Sequence, residues 1–242
     1  MFDFSRSTLI SYALILPLIL LALSVHETAH GYVANKLGDP TARSLGRLTL
    51  NPLKHIDIFG FLCMLLFHFG WAKPVPINVR YFKNPRRGMA LTAAAGPISN
   101  ILLALIFAAL LRLEILLVST ITVSQTIFNM ICVLNYMLYM GVVLNLGLAV
   151  FNLIPIPPFD GSRVAHLLLP QKFYFRIMKY EQYIMIAILI LLWVVPFFSD
   201  LISSATSGLA DLVLSCVGLS MKTEAGQTMN LMIYYLFGSL FA

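Results

Sequence analysis

The chain has 242 residues, 60% of them hydrophobic and 11% charged, with a net charge of +6 and a mean hydropathy of +0.88. A soluble chain carries roughly 25% charged residues, so this composition excludes a soluble globular domain. The length instead leaves room for about four to six spanning segments of roughly 20 residues each.

The basic residues fall mainly in three short stretches. Lys36, Arg43, Arg47 and Lys54 form the first, Lys73, Arg80, Lys83, Arg86 and Arg87 the second, and Arg163, Lys172, Arg176 and Lys179 the third. Short basic loops stay on the cytoplasmic side of a membrane, which puts all three on one face. They flank apolar runs and lack interleaved aromatics, so anionic lipid headgroups are the expected partner and no nucleic acid is. Cys63, Cys132 and Cys216 lie in apolar runs without metal-ligand or disulfide spacing. They read as buried, inert thiols with no disulfide partner.

From Ser7 to Val25 there is no charged side chain. A span over residues 7–30, running inward, is expected; it is read as retained, because no small-residue cleavage site follows it. At its inner end stands His26-Glu27-Thr28-Ala29-His30. Residues i and i+4 of a helix share a face, so His26 and His30 can point at one ion, with Glu27 beside them. In this pattern the histidines bind zinc and the glutamate is the general base of a metalloprotease. Such groups are costly in lipid and mark function.

Lys36-Leu37-Gly38-Asp39-Pro40 reads as a turn, and residues 44–50 partly alternate like a strand. Residues 58–70 are apolar but short, with basic residues on both sides, which fits a re-entrant segment better than a crossing. A span follows over 89–111. Its start carries Ala95-Gly96-Pro97-Ile98-Ser99-Asn100, with Gly96-Pro97 read as packing and helix initiation and Asn100 as interhelical hydrogen bonding. No charge occurs from Ile115 to Phe159. Residues 119–126 mark an outer turn or surface helix and 127–155 a returning span, broken by Pro155, Pro157 and Pro158 before Asp160-Gly161. Asp160 sits just before the third basic stretch, and His26 and His30 just before the first. Charge placement therefore puts all three at one depth, and two histidines with one carboxylate are a ligand set of catalytic zinc. Asp-Gly is also a common turn pair. The lone histidines His55, His68 and His166 are read as surface or headgroup contacts. Downstream, 183–198 is expected to cross outward, and 209–219 and 230–241 to form a hairpin, surface helices or a last span.

With these residues in hand, the chain resembles the site-2 proteases, a family of intramembrane zinc metalloproteases. The resemblance covers roughly residues 20–165. It rests on His26-Glu27-Thr28-Ala29-His30, on Ala95-Gly96-Pro97-x-x-Asn100, on Asn152-x-x-Pro155-x-x-x-x-Asp160-Gly161, and on Gly70-Trp71-Ala72-Lys73-Pro74-Val75-Pro76. It implies one zinc ion held by His26, His30 and Asp160, Glu27 activating water, and Asn152 near the site, where it would hold the substrate carbonyl or water. It further implies an all-α polytopic membrane protein: a three-span catalytic core with a membrane-dipping β-hairpin or re-entrant segment, plus one to three C-terminal hydrophobic helices. The chain is expected to be a single membrane-embedded peptidase domain over 1–242, with its core at about 7–165 and C-terminal helices at about 180–242.

The implied activity is regulated intramembrane proteolysis, with the transmembrane segment of a membrane protein as substrate. The expected location is a prokaryotic cell membrane with the active-site end cytoplasmic. There is no room for a PDZ or CBS domain, so gating falls to the core or to a regulatory membrane partner. Two other readings stand beside this one: a non-enzymatic membrane metal-binding protein, and a zinc hydrolase of lipid amides or esters. Glu27 separates the first from an enzyme, because a binding site has no use for an unligated carboxylate.

Overall fold

The computed structural model describes residues 6–67, 70–120, 122–168, 176, 179–220 and 223–240. The described residues are mostly helical: α1 (Arg6–Lys36), α2 (Thr41–Ser44), α3 (Ile58–Phe67), α4 (Pro85–Val118), α5 (Gln125–Asn152), α6 (Asp160–Ala165), α7 (Glu181–Val194), α8 (Pro196–Cys216) and α9 (Glu224–Leu240). Among the described residues four helical stretches are long and apolar enough to cross a membrane: Leu9–Lys36, Pro85–Val118, Gln125–Asn152 and Pro196–Cys216. This is an integral, multi-pass membrane protein.

Several expected boundaries move, each for a local reason. Residues 44–50 form no strand. Gly46, at φ 64°, ends α2, with its amide on the Arg43 carbonyl and the Arg47 amide on the Ala42 carbonyl. This is a Schellman closure, and it turns the chain where alternation suggested extension. Gly38 ends α1 in the same way, as expected of a turn there. The β pairing found among the described residues is one antiparallel bridge between Ile56 and Ala72, with the Lys73 amide on the His55 carbonyl at 2.8 Å. The chain thus leaves at residue 57, forms the 10-residue α3, and returns beside its own starting point.

The outward crossing at 183–198 is also divided. The 14 residues of α7 reach about 21 Å, short of the roughly 30 Å hydrocarbon core. Val195 precedes a proline, is extended (φ −113°, ψ 99°), and Pro196 opens α8. The candidate span is therefore α8. Pro97 lies inside α4 rather than at its start.

The described chain forms two compact units, residues 1–19, 101–146 and 205–242, and residues 20–100 and 147–204. The first holds an apolar core in which Phe107, Leu111, Leu138, Val142 and Leu146 meet Val213, Leu214 and Leu219. Within it the Asn135 amide donates to the Glu114 carboxylate at 3.0 Å, an interhelical bond between α4 and α5. Cys132 is buried, Cys63 half-buried and Cys216 exposed, so the expectation of three buried thiols fails at Cys216.

The second unit carries the ionisable motifs. Its loops are tied together by buried Asp39, whose carboxylate accepts from the amide and hydroxyl of Thr41 and from the Asn78 amide at 2.6 Å. Burial alone would raise this carboxyl, but those three donors outweigh it and hold the carboxyl below its ordinary value. Asp39→Ala is expected to cost about 1–3 kcal/mol of stability in detergent, because buried donors lose their acceptor. The sign with pH follows from the lowered value. The difference between wild type and variant is full above about pH 4 and shrinks as pH falls through the folded-state value. Unfolding midpoints of both proteins across pH 3–7 test this.

Candidate metal centre

The His26 and His30 rings stand T-shaped on one face of α1, their centroids 4.6 Å apart, and both are buried. Each ring has one nitrogen fixed from behind by α4. His26 Nδ1 donates to the Asn100 side-chain oxygen at 2.6 Å, and His30 Nδ1 donates to the Thr92 carbonyl at 2.7 Å. The Asn100 amide in turn donates to the Ala22 carbonyl at 3.3 Å, so its oxygen is oriented toward His26. Asn100 is fully buried and does more than join helices.

Thr92, Gly96 and Asn100 are four residues apart and form one stripe of α4. A Cβ at Gly96 would lie 2.5 Å from Cε1 of both His26 and His30. Only a glycine lets the two rings lie against this helix. Pro97, next in sequence, cannot donate to the Ala93 carbonyl, which loosens the helix at the turn the histidines contact.

Asp160 arrives from α6. Its Oδ2 is 3.1 Å from His26 Nε2 and 3.1 Å from His30 Nε2, with its side chain 12% exposed. Asp160-Gly161 is the first turn of α6 rather than a helix-ending turn. Gly161 is needed for close approach, since a Cβ there would meet the Leu153 carbonyl oxygen at 2.2 Å. The far end of α6 is clamped by Arg86, whose Nε and Nη2 donate to the His166 carbonyl at 2.9 and 2.6 Å and whose Nη2 donates to the Leu167 carbonyl at 2.7 Å. A cation at a helix C-terminus is favourable, and here it fixes the helix that delivers Asp160.

The chemistry of this donor set fits a divalent metal. A neutral imidazole has one N–H, and in both histidines it is used at Nδ1. Each Nε2 therefore presents a lone pair toward a carboxylate oxygen, and all three ligand atoms lie within 4.8 Å of one another. Three ligand atoms about 2.0–2.1 Å from one tetrahedral ion stand about 3.3 Å apart, close to the 3.1 Å contacts.

Glu27 is outside this trio. Its Oε2 accepts from the Val75 amide at 2.8 Å. Asn152 donates to the Leu148 carbonyl of its own helix at 2.9 Å. His55 and His166 are buried, not surface contacts. His55 Nε2 donates to the Thr49 carbonyl at 2.7 Å, and burial followed by neighbouring Arg86 lowers the His166 imidazole. His68 and Lys172 lie outside the described residues. Gly96→Ala is expected to reduce zinc per purified chain at least tenfold with the helical fold retained, because the added methyl pushes both rings off α4. Elemental analysis with circular dichroism checks this.

Comparison with known proteins agrees with this site. Residues 13–192 match peptidase family M50. Over 174 residues the chain is 40% identical to "Putative zinc metalloprotease YwhC" of Bacillus subtilis (strain 168), covering 72% of this chain and 77% of that protein. It is 32% identical over 140 residues to "Putative zinc metalloprotease MJ0611" of Methanocaldococcus jannaschii, covering 57% and 62%. No solved structure matches at a significant level. A buried His-His-Asp trio, a chain with four helices long and apolar enough to cross a membrane, and a family match over most of its length lead to one assignment: the chain belongs to peptidase family M50, the site-2 proteases, and is a membrane zinc metallopeptidase.

Proposed function

We propose that the protein hydrolyses a peptide bond within or near a transmembrane segment of a membrane protein. The observation that carries this reading is the buried meeting of His26, His30 and Asp160 in an apolar chain, with Glu27 adjacent but outside the trio. His26, His30 and Asp160 would hold the metal through Nε2, Nε2 and Oδ2. Zinc, when bound there, polarises the scissile carbonyl and lowers the pKa of water.

The protein's own groups do the rest. The Asn100 and Thr92 oxygens keep both Nε2 atoms facing Asp160. Glu27 takes the attacking water's proton on Oε1, the oxygen not bonded to Val75, and carries it to the leaving amine. Asn152, at the end of α5, is proposed to hold the substrate carbonyl. A substrate helix must unwind to expose its carbonyls, so Gly, Pro and other weak helix formers near the inner face favour cleavage. Residues 44–50 offer no strand to pair with it.

The orientation proposed has the basic loops cytoplasmic. The Ile56–Ala72 bridge supports a return of residues 58–70 to the face they left, which keeps His26 and Asp160 at one depth.

His26→Ala, His30→Ala and Asp160→Ala are each expected to lose most bound zinc and all cleavage of a transmembrane peptide in detergent. Glu27→Gln is expected to keep zinc and thermal stability while turnover is lost. Full zinc in Asp160→Ala would remove that ligand, and near wild-type turnover in Glu27→Gln would remove that base.

Topology is tested separately. With Cys63, Cys132 and Cys216 replaced, single cysteines at Lys54 and Arg80 should be labelled from the same side of sealed vesicles, and one at Ser119 from the other. Labelling of positions 54 and 80 from opposite sides would make 58–70 a true crossing.

A further inference from the structure

We infer that the segment Lys73-Pro74-Val75-Pro76 is a strap that positions the general base through one backbone amide. The inference rests on the reading of Glu27 as that base.

Prolines have no N–H, so Val75 supplies the one amide donor of residues 74–76. That donor is on Glu27 Oε2 at 2.8 Å. The neighbouring groups are taken as well. Arg47 Nη2 donates to the Lys73 carbonyl at 2.8 Å and to the Pro74 carbonyl at 3.3 Å, and the Lys73 amide donates to the His55 carbonyl at 2.8 Å. The strap is therefore held on three sides, by the Arg47 loop, by His55 and by the helix that carries the base.

Sequence sets this up at two levels. A residue before proline is confined to extended backbone, so Val75 approaches with little freedom of its own. Gly31, one turn beyond Glu27, provides the space. A Cβ there would meet Val75 Cγ1 at 3.0 Å and Leu48 Cδ2 at 2.6 Å. A side chain at residue 31 would press on the Val75 and Leu48 side chains that lie against α1.

A glutamate has three rotatable bonds, and an amide bonded to its carboxylate selects one orientation and leaves Oε1 for the proton. The same bonds occupy the amides of Lys73 and Val75 and the carbonyls of Lys73 and Pro74, which makes residues 73–74 a poor edge for a substrate strand. The strap serves the base, not the substrate backbone.

The test compares Val75→Pro, which removes the amide, with Val75→Ala, which keeps it, and with Arg47→Met, which releases the strap without touching Glu27. Full-length proteins in detergent are measured for zinc per chain, and for kcat and KM on one transmembrane peptide. Val75→Pro is expected to hold wild-type zinc and lose about tenfold or more in kcat, with KM within about twofold, as misplaced catalytic groups do. Val75→Ala should stay within about threefold of wild type, and Arg47→Met should fall between the two.

Wild-type kcat in Val75→Pro overturns the proposal. So does a rise in KM at unchanged kcat, which would make the strap a substrate contact, or an equal loss in Val75→Pro and Val75→Ala, which would make it side-chain packing. If Val75→Pro does not fold, Arg47→Met decides, and unchanged kcat there overturns the strap. Glu27→Gln distinguishes the two levels. Its retained turnover would remove the base itself, whereas its inactivity beside a fully active Val75→Pro removes only the strap.

Discussion

Two imidazole lone pairs and a carboxylate oxygen converge on one small volume, and the rest of the second unit is arranged around that convergence. Lone pairs facing one another in a buried site repel, and a cation is what makes the arrangement favourable. Each histidine must present Nε2, which requires that Nδ1 carry the proton and have an acceptor. α4 supplies both acceptors, one from the Asn100 side chain and one from the Thr92 backbone. Partners of this kind fix the ring's orientation and commonly tune metal affinity by 10–100-fold. Because both acceptors are neutral here, Asp160 brings the trio's one formal negative charge.

That arrangement constrains the helices that bear it. α1 and α4 have to come close enough for a ring nitrogen to reach a backbone carbonyl, which is possible only if nothing projects from α4 between Thr92 and Asn100. Gly96 meets that condition, and a methyl there would overlap both rings. Small residues let membrane helices approach, and here the space they leave holds catalytic groups rather than another helix backbone. α6 faces a similar demand. It is six residues long, so it cannot be positioned by its own packing; Gly161 lets it lie on the Leu153 carbonyl, and Arg86 holds its other end.

The arginines show how charge is used twice. Clustered basic residues set the expected orientation in the membrane, yet Arg47 and Arg86 are fixed on backbone carbonyls at the edge of the site. An arginine presents its N–H groups to carbonyls in a planar fork, so Arg47 ties its loop to residues 73–74 and Arg86 ties α4 to the end of α6. The loops over the site are thus shaped by specific polar contacts, and Asp39 adds a third such tie at Asn78.

The sequence by itself determined which three side chains could share one ion, and it singled out Glu27, the proposed base. His26, Glu27 and His30 are related by helical periodicity, and the placement of basic stretches put Asp160 at the same depth. Long uncharged runs likewise showed α1, α4 and α5, because about 20 apolar residues have few alternatives to a spanning helix. Only the tertiary structure decided the rest. Asn100 looks like interhelical glue until His26 is seen across from it, and Gly96 looks like a packing residue until the rings lie on it. Alternation at 44–50 suggested a strand, but a glycine closure turned that segment back, and the 183–198 run was split at Pro196. His55 and His166 were read as surface groups and are buried. In each case the deciding partner is distant in sequence or depends on a backbone angle, and neither periodicity nor charge records which carbonyl a side chain will meet.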